Sequence, residues 1–128
     1  MTEDVRRHRH RAKRLLDSVV LRWQDELPEV VCHTAYYAMY PAAFALFAAR
    51  GLALPKTHHG VNVRFSENFR QVQPDGREQL GRLARALDRR LIADYDAVDT
   101  LTTDDARHAR DDAMSFIAFC ERLIDRSS

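Results

Sequence analysis

The sequence predicts an all-α protein, a small single-domain bundle of four to five helices over residues 1–128. Three observations carry that prediction. Apolar residues recur at three- and four-residue spacing through most of the chain. No segment sustains the apolar–polar alternation of a strand. Proline, glycine and capping residues fall between the periodic stretches, where helices should start and stop.

The first helix is expected from Thr2 or Glu3 to Gln24. Ala12, Leu15, Leu16, Val19, Val20 and Trp23 line one face of it. Ahead of that stripe lies a basic cluster, Arg6, Arg7, His8, Arg9, His10, Arg11, Lys13 and Arg14. Such a run is either a solvated face or a salt-sensitive hold on RNA phosphates. Pro28 and Glu29 suit the first turn of a second helix, since proline needs no partner there and an acid favours the helix dipole. That helix should reach Arg50 and stop at Gly51, with a kink at Pro41 where a backbone donor is lost. From Ala35 onward it is apolar nearly all round, which places it at the centre of the bundle or between the core and an oligomer interface.

Thr57 is the expected N-cap of a third helix carrying Val61, Phe65 and Phe69. Gln73-Pro74-Asp75-Gly76 reads as a turn. The fourth helix follows, with Leu80, Leu83, Ala84, Leu87 and Leu91 on one face, and continues to about Tyr95. Thr102 with Asp105 three residues later reads as a capping box that opens the last helix. Its stripe is Ala106, Ala113, Ile117, Cys120 and Ile124.

Composition narrows the function classes. Charged residues make up 30% of the chain and the net charge is +1, so no bulk charge demands a nucleic-acid or membrane partner. The N-terminus lacks the apolar core of a signal peptide. The most apolar run, Ala35 to Ala49, is shorter than the roughly 20 residues that span a bilayer. A cytoplasmic protein with no membrane partner is expected. Cys32 and Cys120 have no metal spacing and read as two buried thiols. No metal and no cofactor is expected.

Four motifs stand in order along the chain. They are Ala35-Tyr36-Tyr37-Ala38-Met39-Tyr40; Gly51 followed by Pro55-Lys56-Thr57-His58-His59-Gly60-Val61; Arg89-Arg90-Leu91-Ile92-Ala93-Asp94-Tyr95; and the acidic, alanine-containing helix from Asp104 to Ile124. In this order, over about Val30 to Leu123, the chain resembles the HEPN family, helical domains named from higher eukaryotes and prokaryotes. The resemblance is to a subgroup with Tyr-Tyr-Ala, Lys-Thr-His and Ala-Asp-Tyr motifs. It implies an up-and-down bundle that forms homodimers with the cleft at or near the interface. It also implies a metal-independent ribonuclease of a toxin–antitoxin or defence system. The implied partner is a minimal nucleotidyltransferase acting as antitoxin, which in some systems modifies a motif tyrosine with AMP. Active members carry an arginine, four to six residues, then a histidine. Here Arg89 precedes Asp94 by five positions and Tyr95 follows, so the histidine position holds an aspartate. Pro41 and Thr34 also depart from the subgroup pattern, which often has His and Arg there.

Metal-free RNA cleavage needs a base for the 2′-hydroxyl, a cation for the phosphate and a proton for the leaving oxygen. The candidate catalytic residues are therefore Arg89 and Arg90 for phosphate, with His58 or Asp94 for proton transfer. Tyr95, Tyr37 and Lys56 are candidates for substrate binding or modification. Most have a structural alternative. Arg90 and Asp94 form an i,i+4 ion pair, Tyr95 anchors a helix end, and the tyrosines of the second helix pack with polar tips. A catalytically silent module that binds a partner protein, nucleotide or RNA is the competing function, and Asp94 is the residue that favours it.

Overall fold

A computed structural model describes residues 2–95 and 100–127. Five helices account for most of them: α1 (Glu3–Arg22), α2 (Pro28–Ala49), α3 (His58–Phe69), α4 (Gly76–Tyr95) and α5 (Thr103–Arg126). No strand occurs among the described residues.

The helix ends follow local chemistry. Thr2 and Thr57 turn their hydroxyls back to accept from the amides of Val5 and Gly60, at 3.3 and 2.9 Å. Thr102 and Asp105 close a reciprocal capping box at the start of α5. At the end of α2, Gly51 adopts φ 70°. The amides of Gly51 and Leu52 then reach the carbonyls of Ala48 and Phe47, at 3.1 and 2.9 Å. This is the glycine-terminated cap that uses up otherwise orphaned carbonyls. Gly76 is required for a different reason: a Cβ there would run into the carbonyl oxygen of Phe69.

Helix α2 is the axis of the bundle. It packs most extensively on α1 and α5 and less on α4, while α3 lies mainly against α4. Ala35, Ala38, Ala42, Ala43 and Ala45 are all buried along it, and small side chains let the neighbouring backbones come close. The helix runs through the buried Pro41 without a break in its helical assignment. By length and composition its 22 residues are enough to cross a membrane, which the shorter apolar run counted from sequence did not indicate. Two-thirds of that window (67%) is buried among the other helices, which accounts for its composition. Phe47, Phe65, Phe69, Phe116 and Phe119 fill the space between α2, α3 and α5, with Phe65 and Phe116 ring centres 5.2 Å apart.

Two expected core positions lie outside it. Val20 and Leu91 are exposed, whereas Val5 and Ala86 are buried. Leu91 sits beyond the stretch of α4 that faces the core.

Candidate active site on the seam of α2 and α4

His33, Tyr36, Tyr37 and Tyr40 occupy i, i+3, i+4 and i+7 of α2, so they share one face. The last two turns of α4 and the first turn of α3 meet that face. Arg90 points its Nε at Asp94 Oδ2, 2.8 Å away, in an ion pair one helical turn long. Its Nη2 donates to the Tyr37 hydroxyl at 3.1 Å, and its guanidinium lies 5.6 Å from the Tyr37 ring centre. The other Asp94 oxygen is 2.9 Å from Nδ1 of His33. On the far side of Tyr37, Nδ1 of His58 is 2.9 Å from the hydroxyl of Tyr36, and the His58 and Tyr37 rings meet edge to face at 6.1 Å. The seam therefore holds one guanidinium and two imidazoles, joined through Asp94 and a pair of tyrosines.

The electrostatics of these groups are set by burial and by Arg90. Burial, and then the Arg90 charge, lower the pKa of His58, so its neutral form dominates at neutral pH. Tyr36 is completely buried, and burial pushes its phenol far above the usual range, so it keeps its proton. Burial also raises Tyr40, with a further contribution from Tyr37. Burial opposes the charge on Arg90, but Tyr37 and Asp94 outweigh it and the guanidinium is held more firmly cationic.

Four of the residues singled out from sequence come together: Arg90, Asp94, Tyr37 and His58. Tyr95 lies at the rim, 6.0 Å from the Arg90 guanidinium, with 73% of its surface exposed. Lys56 is exposed in the turn before α3. Arg89 faces the other way. Its Nη1 is 2.8 Å from Asp112 Oδ2 on α5, beside Arg82, whose Nη1 is 2.7 Å from Oδ1 of the same carboxylate. Successive residues of a helix project about 100° apart, so one arginine serves α2 and its neighbour serves α5. The lysine–threonine–histidine corner and the end of α4 thus share a site through Arg90 and His58.

Two participants went unread in the sequence. His33 had a usable signal, its spacing of three and four residues before Tyr36 and Tyr37. Asp112 had none, because it looks like one more acid of α5. Among the described residues, no group of three or more His, Cys, Asp or Glu side chains is placed to hold a metal ion.

The family model of the HEPN domain matches residues 5–123, nearly the whole bundle. The chain belongs to the HEPN domain family. Two relatives carry the name UPF0332 protein. One, from Archaeoglobus fulgidus, is 29% identical over 117 residues, covering 91% of this chain and 92% of its own length. The other, from Thermotoga maritima, is 28% identical over 118 residues, covering 91% of this chain and 88% of its own. The five-helix architecture is consistent with a HEPN helical bundle, a fold compatible with a ribonuclease or a nucleotide-binding module.

Proposed function

We propose that this HEPN protein acts on RNA as a metal-independent endoribonuclease of a cytoplasmic toxin–antitoxin or defence system. In this reading it works as a homodimer and is restrained by a nucleotidyltransferase antitoxin. The observation that carries the proposal is Arg90, a cation held by Asp94 and Tyr37 in a seam that also carries His33 and His58. Its Nε lies 2.8 Å from Asp94 Oδ2 and its Nη2 donates to the Tyr37 hydroxyl, an arrangement that holds a guanidinium in place for a phosphate. His33 and His58 are the proton-handling or hydrogen-bonding groups, so cation, imidazole and phenol lie within one seam. Leu91, Ile92 and Tyr95, exposed beside that seam, suit a dimer contact at the edge of the site.

The experiment is incubation of the purified protein with tRNA and mRNA in a chelator, beside Arg90→Ala and Arg89→Ala. The wild type should release fragments, and Arg90→Ala should lose at least about a hundredfold in rate. Arg89→Ala, if folded at the assay temperature, should retain cleavage. Intact RNA in every sample refutes the proposal.

One observation favours a second reading. Asp94 already occupies Arg90 much as a phosphate would, which suits a silent module that binds a partner through this face. Tight binding of RNA or nucleotide by the wild type, with no cleavage, supports that alternative.

A further inference from the structure

We infer that His33, on α2, is the general base of this site, and that Asp94 is the positioning residue that holds its ring. The inference rests on the ribonuclease reading above and names a group for one of its steps. The two ring nitrogens of each histidine are distinct, and the partner of one fixes the role of the other. The Asp94 carboxylate lies between the Arg90 guanidinium and His33 Nδ1, at 2.8 and 2.9 Å. A carboxylate in that pairing only accepts, so Nδ1 of His33 must carry the hydrogen. The neutral ring therefore presents the lone pair of Nε2. The His33 side chain is 47% exposed, so an RNA hydroxyl can approach it.

His58 has the opposite tautomer. Tyr36 keeps its proton and is wholly buried, and among the described contacts its hydroxyl has His58 Nδ1 as its hydrogen-bond partner. Leaving a buried O–H unpaired is costly, so the phenol donates to Nδ1. Neutral His58 then carries its hydrogen on Nε2 and serves as a donor to a phosphate oxygen. The two imidazoles flank Tyr37, with ring centres 4.6 Å (His33) and 6.1 Å (His58) from its ring. One accepts a proton where the other can only give a hydrogen bond. The aspartate at the motif position thus does not leave the site without an imidazole; it recruits one from the neighbouring helix.

Nε2 of His33 takes the 2′-hydroxyl proton while that oxygen's electron pair forms a bond to phosphorus. The bond from phosphorus to the 5′ oxygen breaks, its electron pair stays on the oxygen, and that oxygen takes a proton from water. The products are a 2′,3′-cyclic phosphate and a 5′-hydroxyl end. The imidazolium returns its proton to solvent, and Arg90 and His58 stabilise the charge on the non-bridging oxygens. His33 meets Asp94 from α4, itself paired with Arg90, and the Tyr37 ring of its own helix.

The test compares His33→Ala, Asp94→Asn, Asp94→Glu and wild type on one oligoribonucleotide, with and without free imidazole. His33→Ala should lose roughly a hundredfold or more. Free imidazole should restore part of that rate in proportion to its concentration. Asp94→Asn should also be slow yet gain nothing from imidazole, because the ring still fills the site, and Asp94→Glu should recover activity. Cleavage by His33→Ala at the wild-type rate, while Arg90→Ala is dead, overturns the assignment and leaves the ribonuclease standing. A wild type that cleaves no RNA removes both.

Discussion

Replacing Asp112 with alanine should cost the bundle more stability than any other single change to its charged residues. Asp112 is 4% exposed, and its carboxylate faces three arginines of α4. Arg82 and Arg89 approach its two oxygens at 2.7 and 2.8 Å, and Arg85 stands 3.6 Å away. Removing one partner of a buried ion pair strands the other charge, at about 3–5 kcal/mol. Arg85 is largely exposed and adds only a few tenths of a kcal/mol. Arg82 keeps a fallback in Glu78 at 2.8 Å, which trims the loss. The balance is about 3 kcal/mol, a large share of the roughly 5–15 kcal/mol that holds such a domain together. Urea denaturation followed by circular dichroism measures it. With a slope of about 1.5–2 kcal/mol per molar, the midpoint should fall by about 1.5–2 M. Asp112→Asn should fall by about half as much, since one acceptor remains. A midpoint within about 0.3 M of wild type for Asp112→Ala would show that the arginines are solvated and that the α4–α5 contact does not depend on them. The same reasoning assigns Arg89 a structural duty, so its removal should depress activity only as far as it depresses folding.

Two further outcomes follow from the buried groups. The pKa of His58 is lowered by burial and Arg90, and that of His8 by burial and Arg7, so the folded state binds fewer protons than the unfolded chain. Their contribution to stability is complete above the unfolded value near 6.5 and is lost as pH falls through the lowered folded values. The melting temperature should therefore drop between pH 7.5 and 5.5, and His58→Gln should flatten the drop; an unchanged slope in that variant contradicts the assignment. Burial pushes the Cys32 thiol up to about 11 and the Cys120 thiol well above its ordinary value. Neither should react with iodoacetamide in the native protein at neutral pH, and both should react in urea. Rapid labelling of the native protein would mean that the core opens near α2 or α5.

Much of the fold was legible because helix ends are written in local chemistry. Thr2, Pro28, Gly51, Thr57 and the Thr102–Asp105 pair each mark a terminus that the structure uses. The central place of α2 followed from its apolar circumference. The site was legible only where its contacts are local. Arg90 and Asp94 are one turn apart, so their pairing could be read from spacing. His33 meets Asp94 across 61 positions of sequence, and a search for an imidazole within the motif itself passes over it. The division of labour between Arg89 and Arg90 depends on which neighbouring helix carries a buried carboxylate, and Asp112 is indistinguishable in sequence from the solvated acids around it.

The most direct measurement is a titration of the protein with a 2′-O-methyl oligoribonucleotide, which binds but offers no nucleophile, followed by the imidazole NMR signals of its six histidines. Seating of RNA on the seam of α2 and α4 predicts that the His33 and His58 signals move together and saturate, while His108 stays still. Movement confined to His8 and His10, at the basic start of α1, would place the RNA elsewhere and contradict the account.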